Sequence, residues 1–307
     1  MNLNLYVCNL IQYGQEKDII TELSTAEQKL KSLFKIDDLS CPKPLKLSYH
    51  ETMQGLLKIA YQMELYPIDT IDEMDAFEAK IMDCMMPEPN VVKQTFKKAY
   101  LKDPETATDY LYKLSQDVNY IKVERLKENK SWTYQSPYGK IELTINLAKP
   151  EKDPRDIAKA LQKTDQKQEG IPMCVICKEN EQNYHNARMN LRIVPLQLGG
   201  ELWHFQYSPY QYYNEHAIIL HDEHRPMKIS EKTMDYLLDF VDQFPTYFIG
   251  SNADLPIVGG SILNHDHFQA GKYTFPIEQA KTLYQLKIDD LIIEHLNWPL
   301  TTIRLTS

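Results

Sequence analysis

The sequence predicts an α+β protein: a helical N-terminal region over residues 1–130, then a mostly antiparallel sheet with packed helices over residues 131–307. Three observations carry that reading. Apolar residues recur at three- and four-residue spacing through the first 115 residues or so, and the period switches to two near residue 131. Beyond Gly170, short apolar runs alternate with turn residues. The chain has no internal repeat and no low-complexity tract.

Taken in order, Ser24 and Glu27 have capping-box spacing ahead of Leu30, Leu33 and Phe34. Met53, Leu56, Leu57, Ala60 and Met63 make a second helical stripe that stops before Pro67. Ala107, Tyr110, Leu111 and Leu114 make a third after Asp103-Pro104. No polar cluster among these helices has an evident task, so the region reads as a structural cap or interface. Ile141, Leu143, Ile145 and Leu147 alternate with polar residues, and Ser136-Pro137-Tyr138-Gly139 joins that strand to Ser131–Tyr134 as a hairpin. Asp153-Pro154 opens a short helix, and the charged, glutamine-rich stretch from Gln162 to Gly170 reads as a loop. Leu191–Leu198 and Glu201–Tyr207 flank Gly199-Gly200 as a second hairpin. After a short strand at His216–Leu220, Ser230 caps a helix whose Met234, Leu237, Leu238, Val241 and Phe244 line one face as far as Pro245. Tyr247–Gly250 and a strand within Ser261–Phe275 follow.

Composition narrows the function classes. The 307 residues carry 34 Lys+Arg against 43 Asp+Glu, a formal charge of −9, which argues against coating nucleic acid or anionic membrane. With 43% hydrophobic and 25% charged residues, the chain is too apolar for intrinsic disorder. The opening Met1–Asp18 has neither a basic leader nor a cleavage site, and no run approaches the roughly 18–20 apolar residues of a spanning helix. The expectation is a cytoplasmic chain with no membrane or nucleic-acid partner. Five cysteines are odd in number and scattered, apart from Cys174 and Cys177. A disulfide framework is therefore not expected, and the close pair reads as a metal clip or a redox motif.

Chemistry concentrates in Gly259-Gly260-Ser261-Ile262-Leu263-Asn264-His265-Asp266-His267-Phe268-Gln269. On a strand, His265, His267 and Gln269 share one face, with Asp266 and Phe268 on the other. Two imidazoles and an amide behind a glycine pair suit an oxyanion or phosphate. A neutral imidazole is also a good nucleophile and a good leaving group on phosphorus. By itself His-x-His also fits two satisfied polar residues at a sheet edge. Cys174-x-x-Cys177 has the spacing of two thiolates on one tetrahedral zinc, with His224 and His265 as candidate partners; a buried or redox-active thiol pair is the alternative. Lys149, Lys152 and Arg155 bracket the helix start at Asp153-Pro154 and could hold phosphates, as could Arg188, Arg192 and Arg225; a solvated basic turn is the plainer reading. The aromatic run Phe205–Tyr213 could stack a base or sugar, or simply pack.

From about Thr106 onward the sequence resembles the class II UDP-glucose–hexose-1-phosphate uridylyltransferases, the galactose-1-phosphate uridylyltransferases of galactose metabolism. The stretches that carry the likeness are ATDYLYKLSQDVNYI (107–121), SPYGKIELTINLAKPEKDP (136–154), CVICKENE (174–181), FQYSPYQYYNEHAIIL (205–220), EHRPMKIS (223–230) and YFIGSNADLPIVGGSILNHDHFQAG (247–271). The first hundred residues resemble the family only loosely. The likeness implies a histidine-triad-like fold and a ping-pong transfer without an organic cofactor. His267 would attack the α-phosphorus of UDP-glucose, and the uridylyl-histidine would pass UMP to galactose 1-phosphate. Gln269 would hold a phosphoryl oxygen, with Asn252, Gly260 and Ser261 lining the phosphate site.

Class I relatives have His-Pro-His where this chain has His265-Asp266-His267. By analogy with them, Cys174, Cys177, His224 and His265 would hold a structural zinc, and the chain would form a homodimer. Family members continue past residue 307 with a second half, whose start the stretch from Asn297 to Ser307 resembles, so the chain reads as truncated. Two further readings compete: a nucleotide phosphorylase or hydrolase using the same His267, and a zinc-stabilised nucleotide-binding module without turnover.

Overall fold

A computed structural model describes residues 2–41, 47–147, 172–183, 187–254 and 262–307. Lys149, Lys152, Arg155, Gly260 and Ser261 lie outside the described residues, as do the expected helix at Asp153-Pro154 and the Gln162–Gly170 loop.

Among the described residues seven helices come first: α1 (Leu3–Glu16), α2 (Leu23–Phe34), α3 (Tyr49–Gln62), α4 (Ile71–Asp83), α5 (Pro89–Tyr100), α6 (Pro104–Asp117) and the single turn α7 (Val123–Leu126). The capping box expected at Ser24 and Glu27 does not form. Glu22 is the N-cap, Ser24 already lies inside α2, and its hydroxyl donates to Glu22 at 3.2 Å. True boxes open α3 and α4 instead. Ser48 Oγ accepts from the Glu51 N–H at 3.3 Å and Thr70 Oγ1 from the Glu73 N–H at 3.2 Å, with both glutamates accepting in return. Asp103 caps α6 as the sequence predicts, accepting from the Thr106 N–H at 2.8 Å. One disulfide is present, contrary to expectation: Cys8 on α1 pairs with Cys41, their Cα atoms 5.5 Å apart, because the chain after α2 folds back over α1.

The strands follow. β1 (Lys130–Ser136) and β2 (Gly139–Ile145) form the first hairpin. β3 (Val194–Leu198), β4 (Glu201–Tyr207), β5 (Ala217–His221), β6 (Phe248–Ser251) and β7 (His267–Gly271) build a five-stranded antiparallel sheet in the order β3-β4-β5-β7-β6. Helix α8 (Glu231–Gln243) connects β5 to β6. β8 (Thr282–Ile288), β9 (Leu291–Leu296) and β10 (Thr302–Thr306) form a separate three-stranded sheet. The architecture is α+β, helices first and antiparallel sheets after. The β3–β4 turn needs its glycines. Gly199 and Gly200 have φ of +54° and +78°, and a Cβ on Gly199 would come within 2.8 Å of the Tyr236 ring.

The core is one continuous cluster shared by the helices and the sheet. Phe205 is its hub, within 6.5 Å of Phe96 from α5, 6.4 Å of Phe240 from α8 and 6.0 Å of Tyr247. Trp203 stacks on Phe268 at 4.8 Å and leans on Tyr236. Of the apolar face the sequence suggests for α8, Leu237, Val241 and Phe244 do pack against this core. Thr233, Tyr236 and Phe240 are buried, whereas Met234 and Leu238 are exposed. Glu201, at the start of β4, ties the sheet to α8 by accepting from Lys232 and Arg225, each at 2.9 Å. The hydrogen bond from Lys232 above all, with those of Tyr236 and Arg225, holds the Glu201 carboxyl down at about 2. A carboxylate depressed by folding contributes stability above its ordinary range and loses it as the pH falls. Glu201→Gln should therefore flatten the acid limb of a Tm–pH curve between about pH 4.5 and about pH 2 and leave the neutral end little altered.

Candidate active site and metal cluster

The pairing register sorts the side chains of the large sheet. Trp203, Phe205 and Phe268 face α8, so their neighbours His204, Gln206, Ile218, Leu220, His267 and Gln269 share the opposite face. His267 stands opposite Leu220, and Gln269 lies between Ile218 and Gly250. The strand prediction of a common face for His267 and Gln269 holds. His265, which precedes β7, turns inward to a different set of partners.

His267 is only 3% exposed. Its Nδ1 lies 2.7 Å from the carbonyl oxygen of His265, which can only accept, so Nδ1 carries the proton and the lone pair is left on Nε2. Burial lowers the pKa of His267, which keeps the imidazole neutral. Gln269 is fixed from both ends. Its Nε2 donates to Asn252 Oδ1 at 3.2 Å, and the Tyr213 hydroxyl donates to its Oε1 at 3.4 Å. Asn252 thus joins the site through the β6–β7 pairing. His216 lies alongside, its ring tilted 57° against Tyr213 with centroids 4.7 Å apart. Its Nδ1 donates to the Tyr210 carbonyl at 2.7 Å, and its Nε2 is enclosed without a partner.

The second constellation is complete. Cys174, Cys177, His224 and His265 bring four ligand atoms within 4.8 Å of one another. Cys174 Sγ lies 3.4 Å from Cys177 Sγ and 3.3 Å from His265 Nδ1; Cys177 Sγ lies 3.2 Å from His224 Nδ1. A tetrahedral zinc with two sulfurs and two nitrogens would space its ligands about 3.3–3.8 Å apart, so small shifts, the close pairs opening and the widest closing, would fit the four donors to it. The supporting bonds also fit. Nε2 of His265 donates to the His221 carbonyl at 2.9 Å, which leaves Nδ1 bare toward the sulfurs. Asn180 Nδ2 donates to the Cys174 and Cys177 carbonyls at 2.8 and 2.9 Å and braces the turn between them. The hydrogen bond from Cys177 lowers the Cys174 thiol to about 7. The cluster could hold a metal ion.

Two of the cations considered for phosphates are occupied elsewhere. Arg225 reaches Glu201 at 2.9 Å and Asp266 at 3.1 Å, and so fixes the residue between the two histidines. Arg192, 2% exposed, reaches Asp83 at 2.8 Å and three carbonyls, an arrangement that ties the start of the sheet to α4. The aromatic run divides. Phe205 and Tyr207 are core, and Tyr213 packs beside Gln269. Sequence reasoning missed Asn180 and His216 and had Tyr213 only as the end of the aromatic run. Only Asn180 left a signal, three residues after Cys177, where a side chain can reach back to both carbonyls.

Fold and site together define an α+β protein in which a Cys₂His₂ cluster abuts the strand that carries His267 and Gln269. The model of the family described as galactose-1-phosphate uridyl transferase, N-terminal domain, matches residues 17–226. The chain belongs to that family. It is 44% identical to a galactose-1-phosphate uridylyltransferase of Clostridium acetobutylicum over 316 residues, covering 99% of this chain and 63% of the relative. It is 40% identical to that of Bacillus subtilis over 320 residues, with 99% and 62% covered, and 47% identical to that of Enterococcus faecalis over 272 residues, with 86% and 53% covered. The chain thus spans about three-fifths of the length of these curated relatives from Clostridium acetobutylicum and Bacillus subtilis. The likeness reaches further toward the N-terminus than the motifs suggested. No solved structure matches the chain. Among the described residues no helix is long and apolar enough to cross a membrane.

Proposed function

We propose that this chain carries the nucleotidyl-transfer centre of a galactose-1-phosphate uridylyltransferase, exchanging UMP between UDP-glucose and galactose 1-phosphate. The observation that carries the reading is the tautomer of His267. With Nδ1–H committed to the His265 carbonyl, Nε2 is the nucleophilic nitrogen, and it shares a face with the Gln269 amide. Nε2 attacks the α-phosphorus of UDP-glucose; the new N–P bond forms as the bond to the glucose 1-phosphate oxygen breaks. Gln269 then turns an N–H from Asn252 to a phosphoryl oxygen, and Asn252 lines the same site. Galactose 1-phosphate reverses the step with its own anionic oxygen, restoring neutral His267. An amide has no titratable proton with which to activate water, which favours a sugar phosphate as acceptor.

The Cys174, Cys177, His224 and His265 donor set suits zinc. Such an ion would act structurally, holding His265, whose backbone carbonyl orients His267. The transferase reading places the chain in the cytoplasm, as the sequence predicts.

Mass spectrometry after brief exposure to UDP-glucose tests the proposal. The chain should gain one uridylyl group and lose it on adding galactose 1-phosphate, with UDP-galactose as the product. Steady release of UMP without a sugar acceptor would instead establish the hydrolase reading, and nucleotide binding with no adduct the module.

A further inference from the structure

Five arginines lie among the described residues, and four of them meet a carboxylate. Asp75 grips both terminal nitrogens of Arg125, at 2.7 and 2.6 Å. Arg304 reaches Glu294 at 2.6 Å, and Arg192 and Arg225 are paired as described above. Arg188 differs. It is 9% exposed, its Nη1 donates to the Tyr120 hydroxyl at 2.7 Å, and its guanidinium sits 6.0 Å from the Tyr120 ring centroid. No carboxylate of a described residue lies within 4.0 Å of it. Arg188 and Arg192 are four residues apart and both buried, at 9% and 2% exposed, yet among the described residues only Arg192 meets a carboxylate. A guanidinium stays charged at any ordinary pH, and enclosing it without an anion is unfavourable. Its planar fork, with one donor held by a phenol and no other hydrogen bond to a described residue, matches the oxygens of a phosphate.

The surroundings of Arg188 connect it to the candidate site on two sides. Its charge acts on Cys174, whose sulfur is 3.3 Å from His265. Tyr120, its hydrogen-bond partner, lies in electrostatic reach of Tyr210, whose carbonyl holds His216 next to Gln269. The enclosed, unpartnered atoms on this side of the sheet, His216 Nε2 and both amide atoms of Gln206, are the kind of groups a bound polar molecule satisfies.

We infer that Arg188, its fork held by the Tyr120 hydroxyl, is a phosphate-binding residue: the anion it takes is a phosphate group of a nucleotide or of a sugar 1-phosphate. Only the identity of that ligand rests on the transferase reading; the anion site itself follows from the enclosed, unpaired cation.

The test is calorimetric titration of the full 307-residue chain with UMP, galactose 1-phosphate and inorganic phosphate, and with uridine as the phosphate-free control. Arg188→Met should weaken the phosphate ligand that occupies the site by about ten- to a hundred-fold. Uridine should be unaffected, and the melting temperature of the ligand-free variant should be no lower than that of wild type. Arg188→Lys keeps the charge without the fork, should fall between the two, and carries the test should Arg188→Met not fold. The probe that weakens identifies the source of the phosphate. If galactose 1-phosphate or inorganic phosphate depends on Arg188 while UDP-glucose leaves no adduct, the anion site stands and the transferase reading falls. Phosphate probes that bind both variants as tightly as wild type, or that fail to bind wild type at all, overturn the inference.

Discussion

Replacing His267 by asparagine should abolish the uridylyl adduct altogether while leaving the fold intact. Asparagine places an N–H close to where Nδ1–H lies, so the 2.7 Å bond to the His265 carbonyl has a replacement donor. What it lacks is a basic nitrogen at the position of Nε2, and His204 on that face does not supply one, its Nε2 being held by Asp222 at 2.7 Å with the Leu220 strand between it and His267. His216 is separated from His267 by a strand pairing and presents its unpartnered nitrogen toward Gln269. Melting should shift by no more than about 1 kcal/mol equivalent, as for a substitution that keeps volume and hydrogen bonding. Gln269→Ala is the informative companion. It removes a hydrogen-bond donor but not the nucleophile, so adduct formation should slow by about 10²–10³-fold and still go to completion. The pair separates chemistry from positioning. An adduct of undiminished yield in His267→Asn would place the nucleophile elsewhere and remove the mechanism proposed here.

How far the sequence predicted this site follows from what fixes each side chain. The period-two rule put His267 and Gln269 on one face because a strand leaves no other choice, and the β5–β7 register agrees. It failed for His265, which lies before β7 begins and turns its ring toward Cys174 and Cys177. Two cysteines three residues apart announce a clip, but their partners at 224 and 265 depend on how two distant loops close, which no local pattern records. The capping boxes make the same point at smaller scale. Ser24, Ser48 and Thr70 each precede a glutamate by three, and only the backbone entering the helix decides which hydroxyl ends at the N-cap. Arginines were the least legible. Arg188, Arg192 and Arg225 looked alike as phosphate candidates, and what distinguishes them is the carboxylate that a remote element does or does not supply.

Stripping metal from the Cys174, Cys177, His224 and His265 cluster should have the largest effect on stability. An ion bound a thousand-fold more tightly than its free concentration adds about 4 kcal/mol to the folded state. At about 2–4 °C per kcal/mol for a chain somewhat smaller than this one, strong chelation should lower Tm by about 10 °C. The reason lies in what the cluster connects. The loop that carries His224 and the approach to β7 are already joined by Arg225 to Asp266 and by the Met227 N–H to the Leu263 carbonyl, whereas the turn at residues 174–177 is tied to them chiefly through the four ligands and the neighbouring Lys178–Asp222 pair. Cys177→Ser should carry no metal, melt at the chelated temperature and show no further response to chelator. Because the carbonyl of His265 orients His267, adduct formation should also slow by about 10–100-fold, as for residues that orient a reacting group from behind. The measurements are metal content, melting with and without chelator, and the rate of adduct formation on the same samples. A purified chain that holds no metal and whose melting is indifferent to chelator would leave four side chains that merely meet, and the orientation of His267 would then rest on β7 alone.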